Sequence, residues 1–285
     1  MSTIALGVAT LNRTNRLEKL LSSVDLTSVE RVYVADNGQM SEQKEHLYER
    51  DYTFDLTVYN LEYDIGLGYC RNHIANNFEE DYLLVADDDH VLNEDIVRLQ
   101  EVLETEESIG GVAGTIMEPE KGRVWQSAKD FEERSGHLYR GADMNNKQIN
   151  LISNNPFIEF DFIPYPTLYR RECIQDYGWD PQFEIGRAHI DFYLTHWHET
   201  DWSFGICPNV FFEHYPGGDA TYTDHRKDDE KWGYETVEMG ENYWFDSAQT
   251  TRSVSNRIVE VIDDNGMTGL INGAYVVGKN LLRGR

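Results

Sequence analysis

The chain has 285 residues, with 51 Asp and Glu against 25 Lys and Arg, a formal net charge of −26. That length suits one large domain or two small ones, and 40% hydrophobic content excludes a disordered or collagenous chain. The charge excludes generic binding to nucleic-acid phosphates, so an anionic ligand has to be held by a metal, by helix N-termini or by a few local cations.

In chain order, IALGVA (4–9) is a short apolar run expected of a strand buried on both faces. Thr14 caps a helix whose apolar positions Leu17, Leu20, Leu21 and Val24 recur at helical spacing. RVYVA (31–35) predicts a second strand, 41–50 a polar helix and LTVYN (56–60) a third strand. Residues 68–78 read as a helix, YLLVA (82–86) as a fourth strand and 94–105 as a helix. This alternation predicts an α/β fold with βαβ crossovers and a mainly parallel, Rossmann-like sheet with helices on both faces. Ligands bind such sheets beyond the carboxyl ends of the strands, where Asn12, Asp36 and Asp87 to Asp89 fall. After about residue 110, short strand-like segments (GGVAGTIM, RVWQSA, HLYRG, INLIS, IEFDFIP) predict an antiparallel or mixed extension. A helix at 188–199 and strand character at 203–213 follow, then a charged, Gly-containing loop at 216–235, long enough to be a lid, and helical character from about 240.

The acid excess runs through the whole chain and Lys occurs at eight positions only, which suggests a salt-adapted proteome. Cys70, Cys173 and Cys207 are far apart and form no CxxC, so neither a disulfide framework nor a zinc knuckle is expected. The N-terminus has no basic leader and no apolar run approaches the roughly 20 residues that span a bilayer, so a soluble, cytoplasmic chain is expected.

The sharpest chemical feature is Asp87-Asp88-Asp89-His90 directly after a buried strand. Three adjacent carboxylates repel one another unless a cation offsets them, and Mg²⁺ or Mn²⁺ commonly bridges such carboxylates to substrate phosphates. A solvated acidic turn is the plain alternative.

Four motifs stand in order: Thr10-Leu11-Asn12-Arg13, Asp36-Asn37-Gly38, Gly66-Leu67-Gly68-Tyr69-Cys70-Arg71-Asn72 and Asp87-Asp88-Asp89. Together they resemble the GT-A fold glycosyltransferases, most closely the inverting, DxD-containing family 2, over residues 3–215. The resemblance implies a GT-A domain over 1–240, with a nucleotide-binding half at about 1–110 and an acceptor half at about 111–240, then a helical extension at 241–285. It implies a nucleotide-sugar donor, UDP-linked before GDP-linked, and a glycan or lipid-linked acceptor. Thr10, Asn12, Arg13, Asp36, Asn37, Arg71, Asp87 and Asp88 would contact the donor, with Asp36 accepting from the base and Arg71 near the base or its phosphate. Asp89, with Asp87 and His214, would hold Mn²⁺ or Mg²⁺. Arg226, Lys227 and Lys231 of the 216–235 loop would close over the pyrophosphate.

Family members usually carry Glu-Asp where this chain has Ala188-His189. A subset carries Glu-His-x-Asp-Phe, which His189-Ile190-Asp191-Phe192 resembles, so Asp191 leads as general base with His189 beside it. Two other classes stay open: a sugar-1-phosphate nucleotidyltransferase, and a GT-A nucleotide- or carbohydrate-binding module that has lost its base. A dinucleotide-binding reading of Gly66-x-Gly68 fails because the third glycine position is Arg71. The segment 266–285 has no acid but carries Lys279, Arg283 and Arg285. It reads either as a packed terminal helix or as a peripheral membrane contact.

Overall fold

The computed structural model describes residues 2–217, except 25, 135–136, 143 and 185–186, together with 238–239 and 243–244. The first elements alternate as the periodicity predicts: β1 (Ile4–Thr10), α1 (Thr14–Val24), β2 (Arg31–Asp36), α2 (Glu42–Tyr48), β3 (Asp55–Asn60), α3 (Leu67–Ala75) and β4 (Tyr82–Asp87). The four strands pair in parallel in the order β3-β2-β1-β4. After β3 the chain crosses to the far side of β1, and that reversal opens a crevice at the strand ends. Register sets its polar rim: Thr10 lies opposite Asp36, Asp36 opposite Asn60, and Ala9 opposite Asp87.

The second part contains β5 (His90–Val91), α4 (Ile96–Thr105), β6 (Ile109–Glu118), β7 (Arg123–Trp125), β8 (Asp130–Arg134) and β9 (His137–Gly141). It continues with β10 (Asn150–Ile152), β11 (Asn155–Glu159), β12 (Thr167–Arg170), α5 (Arg171–Asp176), α6 (Ala188–Glu199), β13 (Ser203–His214), β14 (Glu238–Met239) and β15 (Tyr243–Trp244). β12 inserts antiparallel between β4 and β6 and welds the parallel half to the mixed extension β6-β13-β11-β10.

Both faces of the sheet are covered, as the alternation of side chains requires. Ile4, Leu6, Val8 and Leu84 point to one core with Leu17, Leu20 and Leu21 of α1 and Ile96, Leu99 and Val102 of α4. Ala5, Leu83 and Val85 point to the other, with Cys70 and Ile74 of α3, Cys173 and Ile174 of α5, and Phe192 and Tyr193 of α6.

His90–Val91, Asp130–Arg134, Thr167–Arg170 and Arg171–Asp176 form elements that the sequence pattern does not predict. Each is too short for a periodic pattern. The helical extension expected from about 240 lies outside the described residues, apart from Tyr243–Trp244, which pairs as a strand with Glu238–Met239. The 216–235 loop beyond 217, with Arg226, Lys227 and Lys231, and the segment 266–285 also lie outside them. Among the described residues no helix is long and apolar enough to cross a membrane.

One buried ion pair fixes the carboxyl end of β2. Lys44 Nζ donates to Asp36 Oδ1 at 2.7 Å and to the Leu11 carbonyl at 2.8 Å, and the Tyr48 hydroxyl donates to Asp36 Oδ2 at 2.7 Å. The turn after β2 lies so close that a Cβ on Gly38 would sit 1.3 Å from the Leu11 oxygen, so only glycine fits. Removing one partner of a buried pair strands the other's charge, so Lys44→Met is expected to cost about 3–5 kcal/mol. Urea unfolding checks this, and an unchanged midpoint would contradict the anchoring role.

Candidate active site

The crevice beyond β1 and β4 is a cleft of about 350 Å³. Thr10, Arg13, Asn37, Asp64, Gly66, Asp87, Asp88, Asp89, Glu184 and His214 are among the residues that line it. Its floor is the carboxylate run at the end of β4, and each carboxylate has its own compensation. Asp87 Oδ1 accepts from Arg71 Nη2 at 2.6 Å. Asp88, 4% exposed, accepts from Thr10 Oγ1 at 2.8 Å and pairs with Arg13 Nη1 at 2.9 Å. Asp89 pairs with Arg13 Nη2 and lies 3.4 Å from His214 Nε2.

These surroundings set the charges. Burial pushes the Asp88 carboxyl up to about 7, with Arg13 opposing. Burial also penalises Asp89, but the His214 hydrogen bond and the charges of His90 and Arg13 outweigh it and hold its carboxyl below the usual range. Burial lowers the proton affinity of His214, yet Asp89, Asp87 and Glu118 together raise it above the ordinary value. His90 is buried, and that burial pushes it down.

His214 arrives through backbone register. β5 pairs antiparallel with the end of β13, with His90 opposite His214, and the Tyr215 amide donates to the Asp89 carbonyl at 2.8 Å. The two imidazoles stack with centroids 4.9 Å apart. Asp89, His90 and His214 each offer one ligand atom, and the three atoms lie within 4.8 Å of one another. Asp89 Oδ1 is buried without a hydrogen-bond partner, as a carboxylate oxygen reserved for a cation would be. A carboxylate with neutral imidazoles suits a divalent transition ion such as Mn²⁺, so these residues fit a metal. His214 Nδ1 lies 3.3 Å from Glu118 Oε1, and Glu118 is in turn gripped by Arg123 Nε at 2.6 Å and Lys121 Nζ at 3.1 Å. A carboxylate behind a ligating imidazole orients the ring and raises its basicity.

The remaining expected site residues fall outside the cleft lining. Asp36 is 2% exposed, and both its oxygens are engaged by Lys44, Gly38 and Tyr48. Asn12 closes the turn beneath the cleft by accepting from the Gln39 amide at 3.0 Å. Arg71 is buried, with its guanidinium carbon 4.2 Å from the Tyr165 ring centroid, and reaches the cleft only through Asp87. His189 stacks on the same Tyr165 ring, with centroids 4.0 Å apart, and burial holds it well below the ordinary histidine value. Asp191 is 2% exposed and accepts from the Tyr177 hydroxyl at 2.6 Å. His90, Glu118 and Asp64 are new to the site. Adjacency to the Asp run was the only sequence signal for His90, and Glu118 carried none because its role depends on a neighbour 96 residues away.

A sequence model described as glycosyl transferase family 2 matches residues 6–178. The chain belongs to that family. Its fold is the GT-A fold: it is similar to GalNAc-T7, solved with UDP, GalNAc and Mn²⁺, at 12% identity and a TM-score of 0.59 over 76% of this chain and 44% of that one. S. aureus TarS 1–349 is similar at 12% identity and a TM-score of 0.57, covering 99% of this chain and 92% of that one. TarS 1–349 in complex with UDP-GlcNAc gives 12% identity and a TM-score of 0.54, over 78% and 60%. The family 2 chain thus spans less than half of GalNAc-T7. No curated protein sequence matches it.

Two outcomes test the metal centre. An imidazole ligates a metal only without its proton, so if His214 holds Mn²⁺ the affinity should fall as pH drops through a range above the ordinary histidine pKa of about 6.5. Glu118→Gln should weaken Mn²⁺ binding about 10–100-fold by releasing the His214 ring. Mn²⁺ titration followed by electron paramagnetic resonance reads both. Equal affinity in acid and at neutral pH, and in the variant, would remove His214 from the site.

Proposed function

We propose that this chain is a metal-dependent glycosyltransferase. It moves a sugar from a nucleotide-sugar donor, UDP-linked in the first instance, to a hydroxyl of a glycan or lipid-linked glycan, with inversion at the anomeric carbon. The observation that carries the reading is the convergence of Asp89, His90 and His214 around a buried Asp89 oxygen that takes no hydrogen bond, at the floor of a strand-end cleft. Solved chains of similar fold hold UDP, UDP-GlcNAc and Mn²⁺, which supports the donor class.

In this reading Thr10 and Asn37 face the nucleoside, and Asp87, oriented by Arg71, meets the ribose. Asp36 acts from beneath by fixing the turn that carries Asn37. Asp89 and His214 hold Mn²⁺ or Mg²⁺, with His90 as the third donor. When bound, that ion supplies Lewis-acid stabilisation of the departing diphosphate. Arg13 brings a guanidinium to the same floor, where it is placed to take up phosphate charge as the donor enters. The chain's negative field otherwise repels a nucleotide, so these few local cations have to supply the attraction.

Asp89→Ala removes the carboxylate that carries the orphaned oxygen. It should abolish metal-dependent UDP binding while leaving the fold intact, read by calorimetric titration of UDP with and without Mn²⁺. A panel of nucleotide sugars read by thermal shift and UDP release identifies the donor, because ligands that bind only the native state raise its stability. UDP binding that ignores both metal and mutation would sink the reading.

A further inference from the structure

Asp87 is the member of the carboxylate run most open to a ligand, with its side chain 41% exposed against 5% for Asp88 and 7% for Asp89. An open carboxylate at a strand end turns about its side-chain bonds unless something holds it. Arg71 holds it, through the 2.6 Å bond from Nη2 to Asp87 Oδ1. Among the described residues that is the one hydrogen bond the guanidinium makes. A guanidinium is a planar fork of five donors, and a single contact point leaves that plane free to rotate. Burying such a cation is also costly unless its surroundings compensate it.

Tyr165 supplies both the plane and the compensation. The guanidinium carbon lies 4.2 Å from its ring centroid, within cation–π range. The His189 imidazole stacks on the same ring at 4.0 Å, with 15° between the planes. Two groups this close to one centroid take opposite faces of the ring. The rim of the ring is pinned as well, because Trp179 Nε1 donates to the Tyr165 hydroxyl at 2.9 Å. His189 is held from behind by a hydrogen bond to the Ile163 backbone and by Phe162, whose centroid is 4.7 Å away. Register explains how Tyr165 comes to this place. Thr167 of β12 lies opposite Val85 of β4 in an antiparallel ladder, so two residues back from Thr167 come level with two residues on from Val85, and Tyr165 reaches the height of Asp87.

We propose that Tyr165 is a positioning residue for the donor: backed by His189, it holds the Arg71 guanidinium flat, and Arg71 thereby sets the Asp87 carboxylate where it meets the ribose. This rests on the donor-site reading above. Tyr165 and His189 come from the second half of the chain, while Arg71 and Asp87 come from the first, so one half orients a ligand contact of the other. His189 does this work as a neutral ring. Burial and the nearby Arg71 charge hold it well below the ordinary histidine value, so no second cation pushes against the guanidinium.

The test uses the full-length chain with Mn²⁺ and two probes, UDP and 2′,3′-dideoxy-UDP, whose affinities are read by calorimetric titration. Wild-type chain should favour UDP through the ribose hydroxyls. Tyr165→Leu removes the ring face and should weaken UDP roughly tenfold, the order of one hydrogen bond to a charged group. Its affinities for dideoxy-UDP and for Mn²⁺ alone should stay within about twofold of wild type. Tyr165→Phe keeps the face and loses only the Trp179 bond, so it should unfold at lower urea yet bind UDP within about twofold of wild type. With Asp87→Ala already in place, Tyr165→Leu should cost no further UDP affinity, because its effect runs through that carboxylate. Where Tyr165→Leu does not fold, His189→Leu frees the rear face of the ring and should lower the preference for UDP over dideoxy-UDP. Affinities for the two probes that fall together in Tyr165→Leu, a preference that survives it or His189→Leu, or a loss that persists in full on top of Asp87→Ala would overturn the proposal and leave Tyr165 a packing residue. Failure of the underlying reading is distinguishable, because wild-type chain would then bind no UDP or fail to tell the two probes apart.

Discussion

Everything at the cleft follows from placing three consecutive carboxylates at the end of a buried strand. Two like charges 4 Å apart repel by about 4 kcal/mol at an effective dielectric of about 20, so Asp87, Asp88 and Asp89 cannot sit together uncompensated. The fold answers with two arginines and a histidine. Arg71 reaches Asp87 from α3, Arg13 bridges Asp88 and Asp89 from the start of α1, and His214 comes to Asp89 from the far end of β13. Asp88, the most deeply buried of the three, is left with a carboxyl near neutrality. Asp89 is held ionised yet keeps one oxygen without a hydrogen bond, the arrangement a divalent ion needs.

The topology makes that compensation a long-range property. Arg13 and Arg71 belong to the parallel half, while His214 and Glu118 belong to the mixed extension. The two halves meet through β12, wedged between β4 and β6, and through the two-residue strand β5 against the end of β13. Because that short ladder sets His90 opposite His214, a one-residue slip would turn the His214 side chain to the other face of the strand. Behind the cleft, the column His189–Tyr165–Arg71 transmits packing from α6 to Asp87 and confines Arg71 to an orienting position. Buried stacking of this kind supports a site without touching a ligand.

Much of this was legible in the sequence. The alternating strands and helices to residue 105 follow from their periodicity, and so do the helix at 188–199 and the long strand from 203. The Asp run after YLLVA located the cleft floor, because strand ends of a parallel sheet are where polar residues gather. What escaped was set by contacts distant in the chain. Asp36 reads as a ligand-facing turn residue, yet Lys44 and Tyr48 of the next helix consume its carboxylate. Arg71 reads as a donor contact but is drawn inward by Tyr165. Asp191 sits in a motif that suggests a base, and only the Tyr177 hydrogen bond shows which way it points.

The central claim is that one divalent ion joins the two halves of the chain at the carboxylate run. Its most direct test is anomalous diffraction at the manganese edge from crystals grown with Mn²⁺ and UDP. The account predicts a single strong peak within ligand distance of the Asp89 carboxylate and the His214 imidazole, with the diphosphate of UDP on its open side. UDP seated in the cleft without manganese, or manganese elsewhere on this acidic surface and absent from Asp89, would contradict it.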